Sequence, residues 1–104
     1  MNKNMSDIAV SRNGVRIRLS DERWSHIIEE HSELADLRLE VLEAITSPAR
    51  IVEGGEEELL AVRELALGKY IVVVYREVSS DGFVITAFLT RRIGRLERRK
   101  QLWP

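Results

Sequence analysis

Lys69-Tyr-Ile-Val-Val-Val-Tyr-Arg-Glu-Val78, Ser79-Ser-Asp-Gly82 and Phe83-Val-Ile-Thr-Ala-Phe-Leu-Thr90 together decide the fold. The first and third segments are dense in β-branched and aromatic residues, which pack well on a pleated surface. The four residues between them are polar and end in glycine, the composition of a hairpin loop. Residues 69–78 and 83–90 are therefore expected to pair as antiparallel strands. Upstream, residues 58–65 alternate less regularly and are expected to add another strand, reached through the acidic turn at Gly54-Gly55-Glu56-Glu57. The Glu56-Glu57-Glu58 run reads as a solvated loop. Residues 50–53 are expected as a short strand or a connector.

Further upstream the period changes. Ser20 is a good N-cap, and Asp21 and Glu22 follow where the helix dipole favours acidic side chains. Trp24, Ile27, Ile28 and His31 recur at helical spacing, so a helix is expected over residues 21–30. Ser32 can cap a second helix over residues 33–46, with Leu34, Leu37, Val41 and Ile45 on its buried face. Ser47-Pro48 ends it, because the residue before proline is pushed out of the α region. Val15, Ile17 and Leu19 alternate with Arg16 and Arg18 as a short edge strand does. Residues 1–12 are expected to be frayed. A strand, two helices and then a meander of strands make an α+β protein with a mostly antiparallel sheet.

The chain has 104 residues, enough for one small domain over residues 1–104. Hydrophobic residues make up 44% of it and charged residues 32%, a composition that supports a folded core. No apolar run approaches the roughly 20 residues that span a bilayer. Residues 1–12 lack the apolar centre of a signal peptide, and cysteine is absent. A cytoplasmic protein with no membrane partner is expected. The net charge of −1 conceals an asymmetry. Residues 1–90 hold ten Lys and Arg against sixteen Asp and Glu; residues 91–104 hold six against one. The basic C-terminal tail is either a solvated segment or an anchor for a polyanion or an acidic partner.

Candidate chemistry rests on few residues. His26 and His31 are the only histidines. Five residues turn a helix by about 500°, leaving the two imidazoles about 140° apart, so one helix cannot present both to a metal. No metal site and no cofactor are expected. His26 stands between Glu22 and Glu30, a surface ion-pair position. His31 falls at the end of its helix, either a core-edge residue or a functional one. Arg63, Tyr75, Thr86 and Thr90 interrupt otherwise apolar strands, and Thr86 and Thr90 share a strand face. Joined by a helical histidine, they would form a cationic, hydroxyl-bearing pocket.

The stretch Arg23-Trp24-Ser25-His26-Ile27-Ile28-Glu29-Glu30-His31-Ser32-Glu33-Leu34 resembles the R-W-x-H-I-x-x-x-H-P-E opening of a family of small prokaryotic and phage proteins. Ser47-Pro48-Ala49-Arg50-Ile51, the Tyr70 to Val74 strand and Phe83-Val84-Ile85-Thr86-Ala87-Phe88 extend the likeness over residues 15–90. That family belongs to the barnase–EndoU–colicin–RelE-like nuclease group, whose members are often toxins. Ser32 stands where relatives usually carry proline, which alters the stiffness of the loop more than its chemistry. The resemblance implies a metal-independent endoribonuclease with a barnase/RelE-like fold, acting on RNA and being either a toxin paired with an antitoxin protein or a phage-derived relative of one. On that reading His31 is the general acid or base and His26 the alternate base. Arg63, Arg91, Arg92 and Thr90 hold phosphate, and Thr86 and Tyr75 orient it. The alternative is a non-catalytic RNA- or protein-binding module on the same scaffold.

Overall fold

The computed structural model describes residues 6–104. Seven strands form one sheet: β1 (Ser6–Val10), β2 (Arg16–Ser20), β3 (Arg50–Glu53), β4 (Leu59–Ala66), β5 (Lys69–Val78), β6 (Asp81–Thr90) and β7 (Gln101–Trp103). Their order across the sheet is β1-β2-β6-β5-β4-β3-β7. Every pairing is antiparallel except β2 with β6. Helix α1 (Asp21–Glu30), a 3-10 turn (Ser32–Leu34) and helix α2 (Arg38–Thr46) cover one face, here called the inner face. A single helical turn, α3 (Gly94–Glu97), crosses the other, outer face.

The β5–β6 hairpin forms the centre of the sheet, as its composition requires. Ile71, Val73 and Tyr75 point inward onto Val41, Ala44 and Ile45 of α2 and Trp24 and Ile27 of α1. Val72 points outward to join Val52, Leu60, Val62 and Leu96 in a second, smaller core. Two buried faces explain why this strand reads as an unbroken apolar run rather than an alternation. The turn is tighter than the four polar residues imply. Only Ser79 and Ser80 lie between the strands, and Ser79 takes a φ of 56°.

Three expectations are corrected at the N-terminal end. Residues 6–10, expected to be frayed, form β1 and pair with β2 over their whole length. Strand β2 is consequently interior, not an edge. It meets β6 at Gly82, where an added Cβ would stand 2.7 Å from Ile17 Cδ1, so glycine is what lets the two strands approach. The expected second helix over residues 33–46 is shortened: Ser32–Leu34 form a separate 3-10 turn after His31 caps α1, and α2 begins only at Arg38. Helix α2 then starts without a side-chain cap, fixed instead by Arg38, which donates to Asp7 and Asp21 at 2.8 Å each.

The C-terminal segment is not a free tail. After β6 it turns through α3, burying Leu96 on the outer face, and returns as β7 beside β3. The Arg12 guanidinium lies 4.4 Å from the Trp103 ring centroid, so the turn after β1 touches β7 at the opposite margin. The two margins of the sheet therefore approach each other. Among the described residues no helix is long and apolar enough to cross a membrane.

Candidate functional site

Strand β6 positions the site through one irregularity. Phe83 and Phe88 are five residues apart, an odd spacing that would send them to opposite faces of a regular strand. A bulge intervenes. Phe83 pairs with Arg76, Thr86 with Val74, Phe88 with Val72 and Thr90 with Tyr70. Those four β5 residues alternate in step and share a face, so Phe83, Thr86, Phe88 and Thr90 all project outward. Bulges re-aim side chains in this way.

Between this row and the returning C-terminal segment lies an open cavity of about 360 Å³, lined by Phe88, Thr90, Arg92, Arg95, Leu96 and Arg99. Arg99 donates to the Glu53 carbonyl at 3.3 Å, which holds its stem against the turn after β3. Arg92 and Arg95 make no ion pair among the described residues. Thr90 Oγ1 accepts the Arg92 main-chain N–H at 2.9 Å and so fixes the bend that brings the arginines over the sheet. Three guanidinium groups, a hydroxyl and a phenyl ring thus line one concave surface. Arginine forks match the oxygens of phosphate, and an aromatic face accepts a base.

His31 reaches the margin of this cavity around an open edge. Strand β2 pairs with β6 only through Asp81, Gly82 and Phe83. Beyond that point no strand among the described residues pairs with that edge of β6, and the turn at Ser32–Leu34 lies beside it. His31 caps α1, donating its main-chain N–H to Ile27 at 2.8 Å. Its ring centroid stands 6.2 Å from that of Phe88. Glu33 sits 3.7 Å from Nδ1, which leaves Nε2 as the nitrogen available to a ligand. The imidazole is about one-third exposed.

The residues proposed from sequence do not converge on one place. His31, Thr86, Thr90 and Arg92 lie on or beside the outer face. Arg63 points inward from β4 and donates to the Ser47 carbonyl, so it holds the end of α2 rather than a ligand. Tyr75 also points inward and is fully buried. Burial and the nearby Glu77 carboxylate push its phenol well above the usual range, and its hydroxyl has no partner among the described residues. Neither residue can meet a phosphate held over Phe88. His26 is exposed on α1, 3.8 Å from Glu29. Arg91 turns away into a separate depression with Glu33, Lys69, Leu89 and Thr90. Thr86 Oγ1 is buried against the row of outer-face side chains without a hydrogen-bond partner.

Phe88, Arg95 and Arg99 are the groups sequence reasoning did not place at the site. The signal for the arginines was the charge concentration after residue 90. The signal for Phe88 was its position between Thr86 and Thr90 at period two. The acidic run is used internally: Glu57 pairs with Arg76 at 2.9 Å, and Glu58 accepts the Glu56 N–H. Among the described residues no three His, Asp or Glu side chains converge on a common point that could hold a metal ion. No family model matches the chain, and no curated protein or solved structure matches it.

Proposed function

We propose that the protein is a metal-independent endoribonuclease that binds RNA phosphate in the outer-face cavity. One observation carries the reading: Arg92, Arg95, Arg99 and Thr90 surround Phe88, and the His31 imidazole flanks the same ring. RNA brings its own nucleophile, the 2′-hydroxyl. The protein must remove that proton, protonate the departing 5′-oxygen and stabilise the negative charge that grows on the non-bridging phosphate oxygens. His31 Nε2 serves as the acid–base group, with Glu33 beside Nδ1. Arg92 and Arg95 meet the non-bridging oxygens, and Thr90 contributes a hydroxyl. The likeness of the Arg23–Leu34 stretch to the nuclease group supports the same reaction, and that likeness alone suggests a toxin with an antitoxin partner.

A second reading has an observation of its own. The cavity is flanked by one imidazole, whereas cyclising cleavage uses both a base and an acid. A protein that binds RNA there without cutting it is the alternative.

The test is incubation of a 5′-labelled single-stranded RNA with the protein in excess EDTA. Cleavage leaving 2′,3′-cyclic phosphate ends is expected, and a His31→Ala variant should be slower by about 10²–10⁴-fold. Loss of activity in EDTA with rescue by magnesium would overturn the metal-free mechanism. Tight binding without any cleavage would establish the binding module instead.

A further inference from the structure

A second concave feature lies at the opposite end of β6, at the sheet margin where the outward ring of Phe83 meets the start of α1. It is a depression of about 180 Å³ lined by Arg18, Ser20, Arg23, Phe83 and Val84. Its composition resembles that of the larger cavity: a phenyl ring and a hydroxyl, with two guanidinium groups in place of three. Phe83 is 43% exposed, a large apolar surface to leave in water on a strand whose other aromatic, Phe88, is half-buried. Arg18 is its register neighbour across the β2–β6 pairing. The Arg18 guanidinium is held by Asp81 at 3.0 Å, which keeps it extended over the face. Arg23 stands on the first turn of α1, its main-chain N–H donated to Ser20 Oγ at 3.0 Å, and its guanidinium makes no ion pair among the described residues.

We propose that this depression is a second subsite for single-stranded RNA, with Phe83 stacking on a base and Arg23 contacting the adjacent phosphate. The inference rests on the RNA reading of the larger cavity and extends it by naming the substrate as a single strand several nucleotides long. The β5 partners of Phe83 and Phe88, Arg76 and Val72, are four positions apart, about 13 Å at 3.3 Å per residue. The two rings are too far apart to hold the same base and lie on one face, so a strand can run from one to the other. The bulge in β6 is the device that makes this possible; without it one ring would face the helices. Aromatics spaced along an open sheet face suit unpaired bases, because stacking needs a base lifted out of a duplex.

Binding is measured with fluorescently labelled 2′-O-methyl oligonucleotides, which lack the attacking hydroxyl and stay intact. A dinucleotide and an octanucleotide are compared on the full chain. Phe83→Ala should weaken the octanucleotide by about 5–100-fold and leave the dinucleotide unchanged, and Phe83→Trp should retain binding with indole quenching on addition of RNA. Arg23→Ala should weaken the octanucleotide alone. Octanucleotide binding unchanged in both Phe83→Ala and Arg23→Ala, with loss in Arg92→Ala/Arg95→Ala, would overturn the second subsite and assign the exposed ring to another kind of partner. Failure of wild type to bind either oligonucleotide would overturn the larger cavity as an RNA site, and this subsite with it. Equal affinity for duplex and single strand would also reject the stacking role.

Discussion

Replacing Arg92 and Arg95 together by alanine removes two of the three guanidinium groups over Phe88 while leaving the fold's own contacts in place. Neither side chain makes an ion pair among the described residues, and the Thr90 bond to Arg92 uses the main chain. On single-stranded nucleic acid each phosphate neutralised contributes a slope of about −0.7 in log affinity against log salt. The three arginines therefore account for about −2 of the slope, and the double variant should lose about 1.4 of it. Between 50 and 200 mM salt, the cavity's share of the affinity should fall about 20-fold in wild type and about 3-fold in the variant. A charge-assisted hydrogen bond is worth about 1.5 kcal/mol at the lower end, so two exposed contacts set an expected loss near 100-fold at low salt. Fluorescence anisotropy of a labelled 2′-O-methyl oligonucleotide across a salt series gives both quantities. Arg63→Gln is the control, because that side chain points inward to Ser47. An unchanged slope in the double variant, or an equal loss in Arg63→Gln, would refute the placement of phosphate on the outer face.

Three further substitutions test the structure itself. Tyr75→Phe removes a buried hydroxyl without a partner and should leave stability unchanged or raise it by about 1 kcal/mol in urea unfolding. The Tyr75 phenol is raised in the folded state, so the folded protein holds its proton above the unfolded value of about 10; stability should fall as pH rises past 10, and less steeply in Tyr75→Phe. Gly82→Ala drives a Cβ into the Arg76 carbonyl oxygen and Ile17, and should cost about 1–3 kcal/mol while loosening amide protection in β2. Arg38→Ala breaks both ion pairs that tether α2 to β1 and α1, and should lower Tm by several degrees, with a smaller effect in high salt.

The central hairpin was legible because its two strands carry their own propensity and their loop its own turn residues. Helix α1 was legible for the same local reasons: Ser20 does cap it, its Oγ accepting the Arg23 N–H. Strand β1 was not legible, since Ser6, Asp7 and Ala9 have little strand preference and pair only because β2 offers an open edge. The end of α1 and a new helical start near Ser32 were legible, but the delayed start of α2 at Arg38 was hidden for a similar reason. Its cause is tertiary, the anchoring of Leu34 in the core and of Arg38 on Asp7 and Asp21.

The site was partly legible. Thr86 and Thr90 share a face as period two requires, and the basic stretch after residue 90 lies over them. Arg63 and Tyr75 misled because a polar residue in an apolar strand does not reveal which face it occupies. That information lies in register, and the β6 bulge changes register without leaving a mark that periodicity can detect. Arg63 faces the helices because Ile71, its partner across β4 and β5, does.

The most direct test of the account is a chemical-shift map. Uniformly labelled protein is titrated with a 2′-O-methyl octanucleotide, following main-chain amides and arginine side-chain N–H signals. The largest shifts are expected at Phe88, Thr90, Arg92, Arg95 and Arg99, with His31 ring signals moving at their margin. Shifts centred instead on Arg63, Tyr75 and the end of α2 would contradict it, placing the ligand on the inner face.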